Sequence, residues 1–244
     1  MIPIKKLFKM KKIIGLFLFG AIVMTTFTGC KKKGCTDSTA TNFNSAAKKD
    51  DATCLYAPII TLNGNATVSL NVGATYTDAG ATATNKDGSA VTVTSTSTVN
   101  TANKGTYTVT YTATNANGTT TAQRTVNVVI GQGNWLVSWA LTSNCGATAF
   151  PLSTTPAITA GSDATSLIID NMFTLIGGTA NATINGSNIT IPQQTIGITI
   201  GDIIFSGTGT MNSQGNQITI NYNYDNTTIL IGGEGTCTAI YTKQ

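Results

Sequence analysis

No histidine occurs among the 244 residues, and glutamate occurs once, at Glu234. Without imidazole there is no His-based catalytic triad, no His-ligated zinc and no general base with an ordinary pKa near neutrality. Charged side chains make up only 10% of the chain, with a formal balance of +4. Five of the fourteen basic residues (Lys5, Lys6, Lys9, Lys11, Lys12) crowd the first twelve positions, which leaves nine basic against ten acidic residues in the remainder. Such a remainder has no clustered basic face to neutralise phosphates, so nucleic acid is not an expected partner. Leucine and glutamate are scarce, whereas Thr, Asn, Gly, Val and Ile recur, a composition that argues for an all-β protein of about two domains. After the first thirty residues no apolar run approaches the twenty or so that a membrane-crossing helix needs.

What is present at the N-terminus comes in a definite order. A lysine-rich start leads into an apolar run from Ile13 to Met24 and then into Phe27-Thr28-Gly29-Cys30. That order reads as a bacterial lipoprotein signal: a basic n-region, a short h-region, and small residues before a cysteine. Residues 1–29 are therefore the expected leader, with Cys30 the lipidated first residue of the mature chain and the membrane the partner reached through that lipid. Lys31-Lys32-Lys33 would follow as a polybasic spacer against the membrane surface or as a solvated tether. The expected location is lipid-anchored at the outer membrane. Both faces stay open: the chain has no acidic run after Cys30 of the kind that resembles surface-export signals, which leans toward the periplasmic face, with the cell surface the alternative.

Once Cys30 takes lipid, four of the five cysteines remain, an even number that suits an oxidising compartment. Three pairings are open. Cys35 with Cys54 and Cys145 with Cys237 is the one that keeps each bridge inside a proposed module.

Residues 30–56 form the tether and a cysteine-bounded motif too short and polar to bury a core, so its order must come from a bridge or an ion. Cys35, Asp37, Ala40, Asn42, Phe43, Asn44, Ala47, Asp50, Asp51 and Cys54 resemble a motif recurring in secreted and surface proteins of Bacteroidota, with Ala52 in place of its usual glycine. Asp37, Asn42, Asn44, Asp50 and Asp51 offer hard oxygen atoms of the kind calcium uses, but EF-hand spacing and a bidentate Glu are missing. Asx turns and caps are the expected role, with calcium the alternative; no cofactor is expected.

From 57 to 130 the apolar period is two, interrupted at Asn63-Gly64, Asp87-Gly88 and Asn117-Gly118, dipeptides that suit turns between short antiparallel strands. Val68, Leu70 and Val72 share a face, as do Tyr107, Val109 and Tyr111, and Val126 and Val128, so five to seven strands are expected in a sandwich. Pro58-Ile59-Ile60, the run from Gly73 to Ala81, the run from Gly105 to Tyr111 and Arg124-Thr125-Val126-Asn127-Val128 together resemble the bacterial surface immunoglobulin-like family. That resemblance implies a spacer or adhesive module, not an enzyme.

Residues 131–244 are expected to form a second β domain of about eight runs, near 134–140, 166–176, 180–184, 188–200, 203–212, 217–224, 227–231 and 236–242. Trp135, Val137 and Trp139 alternate, and so do Ile218, Ile220, Tyr222 and Tyr224, which fits an antiparallel meander closing into a barrel. Gly207-Thr208-Gly209 lacks the lysine and helix of a phosphate loop and reads as barrel packing. Gly133, Trp135, Cys237 and Tyr241 resemble the corresponding residues of lipocalin-like envelope barrels. A glycosidase would need two placed carboxylates, for which Glu234 with Asp225 or Asp202 is conceivable, but no enzyme is expected. The functional expectation is a non-enzymatic binding or adhesion protein. Its barrel, with the polar connection from Thr142 to Thr165 and the Gly232–Gly235 turn, would meet a neutral glycan or a protein. The alternatives are a carbohydrate-binding accessory lipoprotein of a glycan-uptake system and a carrier of a small apolar ligand.

Overall fold

In a computed structural model describing residues 31–145, 151–228 and 232–244, the ordered elements are fifteen strands and one 3-10 turn. Cys30 and residues 227–231 of the expected strand run lie wholly or partly outside the described residues. The chain divides into two compact units, 31–57 with 116–118, and 58–115 with 119–244. No helix among the described residues is long and apolar enough to cross a membrane.

The small unit is held by local chemistry. Cys35 is bonded to Cys54, and Lys33 forms an isolated parallel bridge with Lys49. Asn42 spans the loop, donating to the Thr53 carbonyl at 2.6 Å and accepting from the Leu55 amide at 2.8 Å. Asp37, Asn44, Asp50 and Asp51 each accept the amide two residues on, the Asx-turn pattern. The Thr53 hydroxyl, followed by the Thr53 amide, holds the Asp51 carboxyl below its ordinary range despite slight desolvation.

The second unit begins with seven strands: β1 (Ile59–Leu62), β2 (Thr67–Asn71), β3 (Ala81–Thr84), β4 (Ala90–Val91), β5 (Val93–Ser97), β6 (Gly105–Asn115) and β7 (Gly118–Val129). They form two sheets, β1-β3-β4 and β2-β7-β6-β5. Val109, Tyr111, Val126 and Val128 are buried, as their alternation requires. One pairing departs from the antiparallel expectation: β2 runs parallel to β7, from Thr67 opposite Thr125 to Asn71 opposite Val129. The reason is connectivity, since four strands separate the two in the chain and no hairpin forces them to be antiparallel.

Arg124 shares its strand parity with Val126 and Val128 and is therefore carried inward, where it is buried. Its guanidinium forms an ion pair with Asp78 and donates to the Tyr111 hydroxyl at 2.6 Å, to the Asn65 carbonyl at 3.0 Å, to the Gly80 carbonyl at 3.2 Å and to the Asn63 carbonyl. Tyr111 and Tyr76 both donate to the same Asp78 oxygen, at 2.5 and 3.0 Å. One side chain thus satisfies the loop carbonyls that close this end of the sandwich.

Eight further strands form one antiparallel sheet: β8 (Trp139–Ser143), β9 (Ala157–Ala160), β10 (Ser166–Asp170), β11 (Ala180–Asn185), β12 (Asn188–Ile198), β13 (Gly201–Met211), β14 (Gln217–Asn226) and β15 (Gly233–Lys243). Their order is β8-β15-β14-β13-β12-β11-β10-β9, a meander curled into a nearly closed barrel. Three expectations are corrected. Trp135 and Val137 are not on the first strand, which starts only at Trp139 after a 3-10 turn at Gln132–Asn134. The expected run 166–176 stops at Asp170, because positive φ at Asn171 turns the chain away. The connection from Thr142 to Thr165 is also more than variable surface, since it contains β9. Leu152 and Ile158 are buried, the Leu141 amide donates to the Thr154 carbonyl, and the Ser153 amide donates to the Met172 carbonyl. This segment closes the seam between the two ends of the sheet.

Curvature has a visible cause at β13. Gly209 faces inward, and a Cβ there would overlap the Thr219 carbonyl oxygen and lie 2.8 Å from Ile220 Cα. The strands therefore approach more closely than any side chain would permit. Ile218, Ile220, Tyr222, Ala239 and Tyr241 fill the interior, with the two tyrosine hydroxyls hydrogen-bonded to each other at 2.8 Å.

The immunoglobulin-like sheets and the barrel share one apolar core running through Val72, Ile130 and Trp135. Asn134 donates to the Val72 carbonyl at 2.9 Å, and the Lys104 amide donates to the Ser213 carbonyl at 2.7 Å. Gly131-Gln132-Gly133 is consequently part of a packed joint, not a loose linker.

Candidate functional site

The outer surface of β13, β14 and β15 follows from the alternation that fills the interior. In register, Thr208 stands opposite Asn221 and Asn221 opposite Thr238; one step along, Ser206 faces Asn223 and Asn223 faces Thr236. The result is two rows of hydroxyls and amides. Thr238 donates to Asn221 Oδ1 at 2.8 Å, and the Thr238 amide is capped by Asn144 Oδ1 at 3.2 Å, which brings the residue before Cys145 to the same face. A cleft of about 300 Å³ lies between Asn144, Thr208, Asn221, Asn223, Thr236 and Thr238. A second, of about 210 Å³, continues it past Asn223 and is mixed, with Ile204, Phe205 and Tyr224 beside Gln193, Ser206 and Asp225.

Each amide and hydroxyl can both donate and accept, so the first cleft can pair with hydroxyl-rich or peptide-like groups without a formal charge, while Asp225 adds a carboxylate at the second. The bridge between Cys145 and Cys237 lies beneath this face and ties the end of β8 to the middle of β15. Glu234 stands directly opposite Asp225 across β14 and β15, exposed on the outside of the sheet. Like charges in that position repel. Glu234 lines neither cleft.

The two tryptophans do not reach this surface. Trp135 and Trp139 are buried, and Trp139 Nε1 donates to the Trp135 carbonyl at 2.9 Å. At the other end of the barrel Phe173 packs edge-on against Phe205 at 5.8 Å, with Leu152 and Met172 also buried. Ile218, Ile220, Tyr222, Ala239 and Tyr241 are buried on the inward side of β14 and β15. Tyr241 is pushed up to about 12 chiefly by burial, and burial also raises Tyr222 well above the ordinary phenol value.

Sequence reading missed two features. The first is the Arg124 and Asp78 network, for which the available signal was the inward parity of the chain's single arginine. The second is the set of outward Asn and Thr positions on β14 and β15, the complement of the apolar alternation already recognised.

Residues 60–128 match the family described as the immunoglobulin-like domain of bacterial surface proteins. No curated protein matches the chain. Among solved structures, the crystal structure of a lipoprotein from Bacteroides thetaiotaomicron is similar over 77% of this chain and 100% of that one, at 16% sequence identity and a TM-score of 0.29. The immunoglobulin-like family match and the all-β architecture fit a non-catalytic protein of the bacterial cell envelope.

Proposed function

We propose that this is a lipid-anchored outer-membrane protein that binds without catalysis, using an immunoglobulin-like module to carry a barrel whose outer Asn and Thr face adheres to a neutral, hydroxyl-rich ligand. One observation carries the reading: the cleft between Asn144, Thr208, Asn221, Asn223, Thr236 and Thr238 is lined mainly by amides and hydroxyls, and residues 131–244 hold a single basic side chain, Lys243, against five acids. A polyanion is repelled by that balance, whereas an uncharged glycan can exchange its hydration for paired hydrogen bonds. The neutral-glycan reading also agrees with the alternative of an accessory protein in glycan uptake.

Binding of the intact protein to a panel of neutral and anionic envelope glycans tests this. Neutral glycans should bind, and Asn221→Ala should weaken them by about tenfold, the loss of one or two well-made hydrogen bonds. Preference for anionic glycans, or unchanged affinity in Asn221→Ala, would defeat the assignment.

Anchoring rests on Cys30, which follows the apolar run Ile13 to Met24 and the short segment Thr25 to Gly29. Two or three acyl chains bury many methylenes at about 0.8 kcal/mol each, ample for stable attachment. Cys30→Ala should move the protein from the membrane to the soluble fraction, and lipid labelling that persists in this variant would rule the anchor out.

A further inference from the structure

Of the nine basic side chains after the first thirty residues, five belong to the small unit: Lys31, Lys32, Lys33, Lys48 and Lys49. They stand as two separate runs in the sequence, and the fold joins them. Lys33 is bridged to Lys49, the Lys32 carbonyl accepts from the Lys48 amide at 2.8 Å and from the Lys49 amide at 3.4 Å, and the Gly34 amide donates to the Lys49 carbonyl at 3.2 Å. The two runs are thus hydrogen-bonded neighbours. Gly34 permits the approach, since a Cβ there would stand 3.1 Å from Asn44 Nδ2 and 3.3 Å from Ala47 Cβ. The bond between Cys35 and Cys54 fastens the chain on the C-terminal side of each run.

All five lysines are exposed, and among the described residues none of them forms an ion pair. The acids of the unit are engaged by its own donors instead: Asp37 by Thr39 and the Tyr56 hydroxyl, Asp50 by the Ala52 amide, Asp51 by the Thr53 amide and hydroxyl. Lys33 beside Lys49 is a repulsive pair in isolation, and an anion lying across both relieves it. Five lysines against three acids leave the small unit at +2, whereas the second unit holds four basic against seven acidic residues, or −3. Counting charges along the chain hides this cluster, because its two runs are apart in sequence and offset by acids elsewhere.

We propose that Lys31, Lys32, Lys33, Lys48 and Lys49 form a seat for the anionic headgroup surface of the membrane that carries the lipid anchor. The proposal rests on lipidation of Cys30, the residue covalently before Lys31, and that attachment selects the occupant: the headgroups of the bilayer that the acyl chains enter are the first anions these lysines meet. Of the two units only the small one is drawn to such a surface, since the charge of the other is repelled by it. Each lysine adds a weak, reversible attraction, so the seat supplements the acyl chains and does not replace them.

The test is cosedimentation of the chain from residue 30 onward, carrying Cys30→Ala and therefore no lipid, with phosphatidylglycerol and with phosphatidylcholine vesicles at low ionic strength. It should bind the phosphatidylglycerol vesicles alone, with affinity falling as salt is raised. Lys48→Gln with Lys49→Gln should weaken binding about tenfold or more, and so should Lys31→Gln with Lys32→Gln, because both runs serve one surface. Cys35→Ser with Cys54→Ser keeps all five charges but releases the loop, and should weaken binding several-fold. The proposal is overturned if phosphatidylglycerol vesicles are not bound, if phosphatidylcholine vesicles bind as well, or if either the Lys48 and Lys49 variant or the disulfide variant keeps full affinity. Displacement by inorganic phosphate beyond that by chloride of equal ionic strength would also overturn it, marking a site for the free ion. Lipid labelling of the wild type reports on Cys30 alone, and vesicle binding by the unlipidated chain reports on the lysines alone, so the anchor and the seat fail separately.

Discussion

Arg124→Met should cost about 3–5 kcal/mol of folding stability, the range for removing one partner from a buried ion pair. The substitution keeps much of the apolar stem but strands the Asp78 carboxylate and leaves the carbonyls of Asn63, Asn65 and Gly80 without their donor. In a chain of this size each kcal/mol moves the thermal midpoint by about 2–4 °C, so a drop of roughly 10 °C is expected by calorimetry. Because the apolar core runs continuously into the barrel, the whole second unit should lose stability in one transition. A fall of less than about 1 kcal/mol would show that the network only replaces equivalent solvation.

The same network sets a pH window. Burial alone would raise the Asp78 carboxyl, but hydrogen bonds from Tyr111, Tyr76, the Gly80 amide and Arg124 outweigh it, and the group is held below its ordinary value. Its contribution is therefore present above the unfolded carboxyl pKa of about 3.9 and is lost as pH falls through the lower folded value. Tyr111 moves the other way, pushed up to about 12 by burial and by Asp78. Its contribution is complete below the unfolded phenol pKa of about 10 and disappears as pH rises toward 12. Wild type minus Arg124→Met should accordingly show a larger stability difference above about pH 4 than below it.

Opening the longer disulfide is the second large effect expected. Cys145 and Cys237 are 92 positions apart, and releasing so long a loop in the unfolded chain corresponds to about 4–5 kcal/mol in the loop-entropy account. The Cys35 to Cys54 bridge, 19 positions apart, corresponds to about 3 kcal/mol on the same account. Cys145→Ser with Cys237→Ser should lower the denaturant midpoint by more than reductant lowers it further in that variant. Equal losses for the two bridges would argue that native packing, not the unfolded chain, sets their value.

Much of this architecture is written in alternation. Ile218, Ile220 and Tyr222, or Val126 and Val128, announce strands because a core on one side demands period two. Asn185-Gly186 announces its hairpin because positive φ is needed there, and Gly186 has φ +59°. Closure of the barrel was far less legible. Leu152 and Ile158 are isolated apolar residues between Pro151, Pro156 and a run of Ser and Thr, and their pairing depends on Phe173 and Ile169, partners that no local pattern reveals. Arg124 was obscured for a related reason, since its ion-pair partner lies 46 positions away and the strand around it looks ordinary. The candidate surfaces were legible only in outline: which side chains point outward can be counted along a strand, but which outward rows become neighbours depends on register.

The parallel pairing of β2 with β7 has a mechanical meaning. The chain enters this sheet through β2 and leaves it through β7, directly toward the barrel joint. Tension between the N-terminal side and the barrel would pull the two strands in opposite directions along their common axis. The ladder from Thr67 and Thr125 to Asn71 and Val129 would then be loaded in shear, its hydrogen bonds sharing the force together instead of opening one after another like a zip.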